Sequence, residues 1–152
     1  MIRVSVQTDD FDTGVEVSRL SSDGDSVGAV VSFVGVVRGE SGGEKLLALQ
    51  LEHYPGMTER ELSRIADEAT ARWHLSAVTI IHRVGVLRPQ DQIVLVVTAS
   101  AHRQAAFDGC AFVMDYLKTQ APFWKKETRT SGEHWIEARS SDDEAAARWD
   151  AV

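Results

Sequence analysis

The sequence predicts a single α+β domain with a mostly antiparallel sheet and two main helices. Three observations carry that prediction. Short β-branched or alternating runs recur at 2–8, 27–39, 45–54, 77–87, 92–100 and 134–140. Two longer windows, 57–73 and 101–119, place apolar residues at helical spacing. Their order (β, β, β, α, β, β, α, β) lacks the regular strand-helix alternation of a parallel sheet.

The elements follow in order. "IRVSVQT" sets Ile2, Val4 and Val6 against Arg3, Ser5 and Gln7, a half-buried strand. "FDTGVEVSRL" reads as a short helix, and the acidic "SSDGDS" after it as a surface loop. "VGAVVSFVGVVRG" (27–39) is apolar and β-branched, so a well-buried strand is expected. "GESGG" (39–43) is a loop, and "KLLALQLEHY" (45–54) is expected to be the hairpin partner of 27–39. No P-loop is present here: Lys45 follows Glu44, and a strand rather than a helix comes next.

"MTERELSRIADEATARW" begins the first main helix. Thr58 as N-cap and Glu61 three residues on form a capping-box pattern. Leu62, Ile65, Ala66, Ala69 and Trp73 mark its apolar face. Strands at 77–87 and 92–100 flank a turn at "RPQD". The second helix runs from Ala101 to Thr119, with Phe107, Cys110, Ala111 and Met114 as its expected stripe. Pro122 ends it, because proline lacks the N–H and clashes with the preceding turn. The chain then turns, with Phe123 and Trp124 as buried anchors. "HWIEARS" (134–140) is a last strand, and "DDEAAARWD" a short terminal helix. One domain, 1–152, accounts for the whole, with 140–152 as tail or short helix.

Composition narrows the function classes. A formal net charge of −7 argues against a general nucleic-acid or anionic-membrane binder. It leaves room for a local basic pocket. No run of about 18 apolar residues is present, so no membrane span is expected. The start, "MIRVSVQTDD", lacks the layout of a secretion signal. The lone Cys110 can form no internal disulfide, sits in an apolar run, and reads as a small buried hydrophobe. A cytoplasmic protein is expected.

Candidate chemistry gathers at the second helix. Lys118 lies one turn beyond Met114, at the end of an apolar stripe. Two readings stand: the chain snorkels into water, or it lines a pocket where desolvation makes the amine a usable base or nucleophile. Lys125 follows the proline break, and the turn could bring it back toward Lys118. Two ammoniums facing one cavity would attract phosphate or carboxylate. His102 and Arg103 occupy the helix's first turn, where backbone N–H groups favour an anion. A solvated pair is the other reading. Arg38, closing the strand at 27–38, could fork onto a phosphate or lie bare on the surface. Arg103 and Lys118 would stand about 22 Å apart along one helix. A small ligand touching both needs a second copy of the chain, hence a homodimer with composite sites. His53, His74 and His82 show no metal-ligand spacing, and no metal or other cofactor is expected. No G-x-S-x-G nucleophile elbow is present.

Taken together, "LEHYPGMTE", "VTIIHRVGVL", "SAHRQAAF", "MDYLKTQAPFWKKE" and "WIEARSSD" resemble the catalytic (large) subunit family of molybdopterin synthase. The resemblance spans about Val27 to Trp149; the stretch 9–25 and the loop 39–44 match nothing diagnostic. It implies an α/β-hammerhead-like fold and a sulfurtransferase. Such an enzyme converts cyclic pyranopterin monophosphate (precursor Z) into the molybdopterin dithiolene, in molybdenum cofactor biosynthesis. Sulfur arrives as the C-terminal Gly-Gly thiocarboxylate of a small ubiquitin-like subunit. A central homodimer with a small subunit at each end makes a heterotetramer. Carried over by position, Lys118 and Lys125 match the two essential lysines. Val36, Val37 and Arg38 match the substrate-binding strand end. His102 and Arg103 match an anion-binding pair from the neighbouring protomer. Lys126 and Glu127 belong to the substrate-binding loop with Lys125. Two readings compete: a non-enzymatic phosphometabolite-binding module with the same basic pocket, and a stand-alone hydrolase with a lysine base.

Overall fold

The structure is a computed structural model that describes residues 1–136 and 140–150. The elements are β1 (Ile2–Gln7), α1 (Thr13–Ser21), β2 (Ala29–Val36), β3 (Glu40–Ser41), β4 (Glu44–His53), α2 (Met57–Trp73), β5 (Ala77–Arg83), β6 (Gly85–Leu87), β7 (Gln92–Ser100), α3 (Arg103–Gln120), β8 (Phe123–Arg129), β9 (Gly132–Ile136) and α4 (Ser140–Ala147). They build two sheets. The first runs β1-β5-β7-β2, and the second β3-β4-β8-β9 with β6 also on β4. Only β1 and β5 pair in parallel; the other pairs are antiparallel.

The first sheet is covered on both faces. Val78, Ile80, Val94 and Val96 meet α2 and α3 through Leu62, Ile65, Phe112 and Val113. The alternate residues Ala77, Ile81, Leu95, Val97 and Ala99 meet Leu20 of α1. Period-two side-chain alternation makes both sets apolar, which is why 77–83 and 92–100 read as continuous hydrophobic runs. Each fully buried Leu or Ile here contributes roughly 1.5–3 kcal/mol. A smaller cluster of Val37, Leu46, Leu49, Leu51 and Leu87 underlies the second sheet.

Several expectations are corrected. The strand in 27–39 is not well buried: Phe33 is 40% exposed and Val36 48%. Its one neighbour is β7, so β2 is an edge strand, and apolar composition alone cannot cover an edge. Nor is 45–54 its hairpin partner; β4 instead pairs with β8 in the second sheet. Helix α2 is capped by Gly56, whose N–H donates to the Glu59 carboxylate. Thr58 is instead buried, its hydroxyl donating to the Tyr54 carbonyl and accepting from the Tyr54 N–H. The run 77–87 breaks at Val84, where Gly85 takes φ 92 and starts β6 in the other sheet. The apolar stripe of α3 is rotated: Phe107 is 58% exposed, while Ala106, Cys110, Val113 and Leu117 are buried. The helix packs against α2 and the sheet at once, so its buried arc is set by two partners. The segment after Pro122 is not a turn but β8, which takes the free edge of β4. The last strand ends at Ile136, residues 137–139 of that expectation lie outside the described residues, and Ser140 already belongs to α4.

Three connections carry the chain from one sheet to the other within this fold. They are the link from β2 through Arg38, the break at Val84, and the passage from α3 through Pro122.

Candidate active site

Where those connections cross, the two sheets part and leave a cavity of about 530 Å³. Each crossing delivers a functional side chain to it. The first delivers Arg38. Val37 is 3% exposed and anchored, its N–H donating to the Asp91 carbonyl (2.9 Å) and its carbonyl accepting from Gln90 N–H (2.8 Å). Burial of Val37 therefore aims its neighbours Val36 and Arg38 outward along the cavity rim. The third crossing delivers the lysines. Lys118 occupies the last turn of α3, where a cation suits the negative end of the helix dipole. Pro122 then stops the helix, and Phe123 N–H donates to the Ala121 carbonyl at 2.9 Å, so the strand starts at once.

Strand parity decides which β8 residues face inward. Lys125, Glu127 and Arg129 sit opposite Leu51, Leu49 and Leu46, all buried. Directly paired residues share a face, so these three point toward the interior. Lys125 and Glu127 line the cavity. Trp124, Lys126 and Thr128 take the other face. Lys126 there lies 5.5 Å above the Trp135 ring and 3.6 Å from Glu133. Trp124 is 44% exposed against Tyr54, so only Phe123 of the two expected anchors packs inward.

Of the sequence candidates, then, Val36, Val37, Arg38, Lys118, Lys125 and Glu127 share one cavity. Lys126 does not. His102 and Arg103 do not either: they are exposed at the opposite end of α3, which runs unbroken from Arg103 to Gln120. Carboxylates that the cation count left out, Glu40 and Asp142, also line the wall.

His82 is the residue that sequence reasoning passed over. It lies on the α3-facing side of β5 and lines the same cavity. Its ring stacks on Phe123, centroids 3.8 Å apart and planes 17° from parallel. Nδ1 stands 2.8 Å from the Arg83 carbonyl oxygen. A carbonyl only accepts, so Nδ1 carries the hydrogen and Nε2 is left as an acceptor. Burial pushes its pKa down to about 3, and the charges of Lys118, Lys125 and His53 lower it further. At neutral pH it is a fixed, uncharged ring among cations. The one available signal was its inward parity after Val78 and Ile80.

Cys110 takes no part. It is 5% exposed against Val96, and burial raises its thiol to about 11, far from a thiolate nucleophile.

The arrangement can hold an anionic group between Arg38, Lys118 and Lys125, and can move protons through a lysine amine. Comparison with known proteins adds the following. The sequence model of the family described as "MoaE protein" matches residues 6–120. A curated relative from Mesorhizobium japonicum, "Molybdopterin synthase catalytic subunit", is 56% identical over 148 residues, covering 96% of this chain and 92% of its own. The solved "Molybdopterin biosynthesis MoaE protein" of Burkholderia ambifaria superposes with a TM-score of 0.85 at 54% identity, covering 99% of each chain. "Molybdopterin Synthase from Staphylococcus aureus" is similar at TM-score 0.81 and 31% identity, covering 87% of this chain and 95% of that one.

Proposed function

This chain belongs to the MoaE family, and on that premise we propose that it works as the catalytic subunit of a molybdopterin synthase, a sulfurtransferase. Its substrate is cyclic pyranopterin monophosphate, and its product the molybdopterin dithiolene. The sulfur donor is the C-terminal thiocarboxylate of a small ubiquitin-like subunit. The observation that carries this reading is the meeting of Lys118 and Lys125 on one cavity beside Arg38.

Both reactants are anionic, one through phosphate and one through thiocarboxylate. Lys118, Lys125 and Arg38 offset those charges in a site walled by Val37, Leu46, Leu49 and Phe123. Lys118 stands nearest the tail's terminal carbonyl, and Lys125 orients the pterin. Their amines exchange protons as sulfur attacks the substrate and the acyl intermediate breaks down. His82 stays neutral throughout, so the local charge rests with the lysines and arginine.

The working unit is a homodimer of this chain with a small subunit at each end. Two features support it. The β2 edge leaves Phe33 and Val36 exposed beside the cavity. The length of α3 holds Arg103 about 22 Å from Lys118, so a partner protomer's His102 and Arg103 would complete the site. Among the described residues no helix is long and apolar enough to cross a membrane. The lone buried thiol is consistent with work in the cytoplasm.

The test is reconstitution. The chain is mixed with a thiocarboxylated small subunit and precursor Z, and molybdopterin is measured. Product formation is expected. Substrate binding without product would favour a phosphometabolite-binding module.

A further inference from the structure

Behind the cavity wall, one carboxylate oxygen gathers three donors. Ser41 Oγ donates to Glu127 Oε1 at 2.7 Å. Arg129 donates to the same oxygen twice, from Nε at 2.9 Å and Nη2 at 2.7 Å. Both ionic partners are largely withdrawn from water, with Arg129 17% and Glu127 14% exposed at the side chain. Arg129 also reaches Glu44 at 3.9 Å through Nη1. Glu44 in turn accepts from Thr130 Oγ1, Ser131 N–H and Ser131 Oγ at 3.0, 3.0 and 2.9 Å.

The hairpin between β3 and β4 is shaped around this guanidinium. Gly42 takes φ +59, and a Cβ there would stand 2.9 Å from Arg129 Nη1. A side chain at 42 would therefore push the guanidinium off Glu127. Ser41 and Glu127 line the cavity, whereas Arg129 stands behind them.

We propose that Arg129 is a positioning residue: with Ser41 it locks Glu127 by one oxygen and compensates its charge, so that the second oxygen meets a hydrogen-bond donor of the substrate. This deepens the sulfur-transfer reading and rests on it. The chemical logic is direct. A carboxylate oxygen has about two lone-pair sites, and three donors leave Oε1 no capacity for a ligand. Any N–H or O–H brought to this carboxylate meets Oε2. A bare carboxylate would repel a phosphate-bearing substrate, while one forked by arginine repels it far less. The site thereby selects a ligand that is anionic at one end and donor-rich at the other, as a pterin phosphate is.

The experiment uses the reconstituted two-subunit enzyme and separates KM from kcat for precursor Z. Arg129→Ala is expected to raise KM about tenfold with kcat within about twofold, the scale of one lost charge-assisted contact. Arg129→Lys keeps charge but not the fork, and is expected to recover only part of that loss. Ser41→Ala, at the hairpin tip, is expected to raise KM about threefold. Glu127→Gln combined with Arg129→Ala is expected to be no worse than Glu127→Gln alone, because Arg129 acts through Glu127. Unchanged KM in Arg129→Ala and Ser41→Ala overturns the proposal, as does additivity in the double variant. If Arg129→Ala fails to fold, Ser41→Ala alone decides. An inactive wild-type enzyme would instead defeat the sulfur-transfer reading itself.

Discussion

His82 and Phe123 lie face to face, ring centroids 3.8 Å apart, and so join a central strand of one sheet to the first residue of the strand that carries Lys125 in the other. The stack buries an ionisable ring in the wall of a site rich in cations. Its protonation must therefore break something.

That relation has a pH signature. In the unfolded chain His82 takes a proton near 6.5; in the folded chain it stays neutral down to about 3. Between those values the unfolded state binds more protons, so stability falls as pH drops. Above pH 6.5 the group has no effect. His82→Gln should flatten the fall by up to about 1.4 kcal/mol per pH unit. Thermal melts of both proteins from pH 7 to 4 check this; equal slopes would refute it.

Lys118→Ala should lower kcat by about a hundredfold or more, the usual scale for a lost proton-transfer group. Its side chain is exposed at the end of α3, so Tm should hardly move. Steady-state turnover and a melting curve on the same preparation suffice, and retained turnover would sink the assignment.

A mixing experiment addresses the composite site. Arg103→Ala and Lys118→Ala chains are each expected to be inactive alone. Mixed and allowed to exchange protomers, they should regain one working site per mixed dimer. Activity that stays absent in the mixture would mean that each protomer supplies its own anion-binding residues.

Much of the fold was legible because both faces of its central strands are covered. In 92–100 the residues Val94 and Val96 serve one core and Leu95, Val97 and Ala99 the other, so composition and burial agree. The same logic misled at 27–39, where an equally apolar run lies at an edge. β8 was illegible for the opposite reason. Its inward face carries Lys125, Glu127 and Arg129 and its outward face Trp124, Lys126 and Thr128, so no hydrophobic period marks it. Only Pro122 stood out, and it suggested a turn. Reading period two from Lys125 would have found Arg129 and set Lys126 apart. The joint cavity of Lys118 and Lys125 was visible from the helix end and the proline. The wall acids Glu40 and Asp142 come from distant segments that no local pattern ties to it.

The short passage through Ala121 and Pro122 has a consequence for how this chain can vary in length. Two residues separate the last turn of α3 from β8, and Lys125 faces inward by parity alone. Deleting or inserting one residue there would slip the strand and present Trp124, Lys126 and Thr128 to the cavity, with the reactive amine turned to solvent. The connection thus behaves as a reading frame for the site. Length changes should be tolerated at the exposed stretch 22–26 or the tight turn at 130–131, and counted strictly between Gln120 and Lys125.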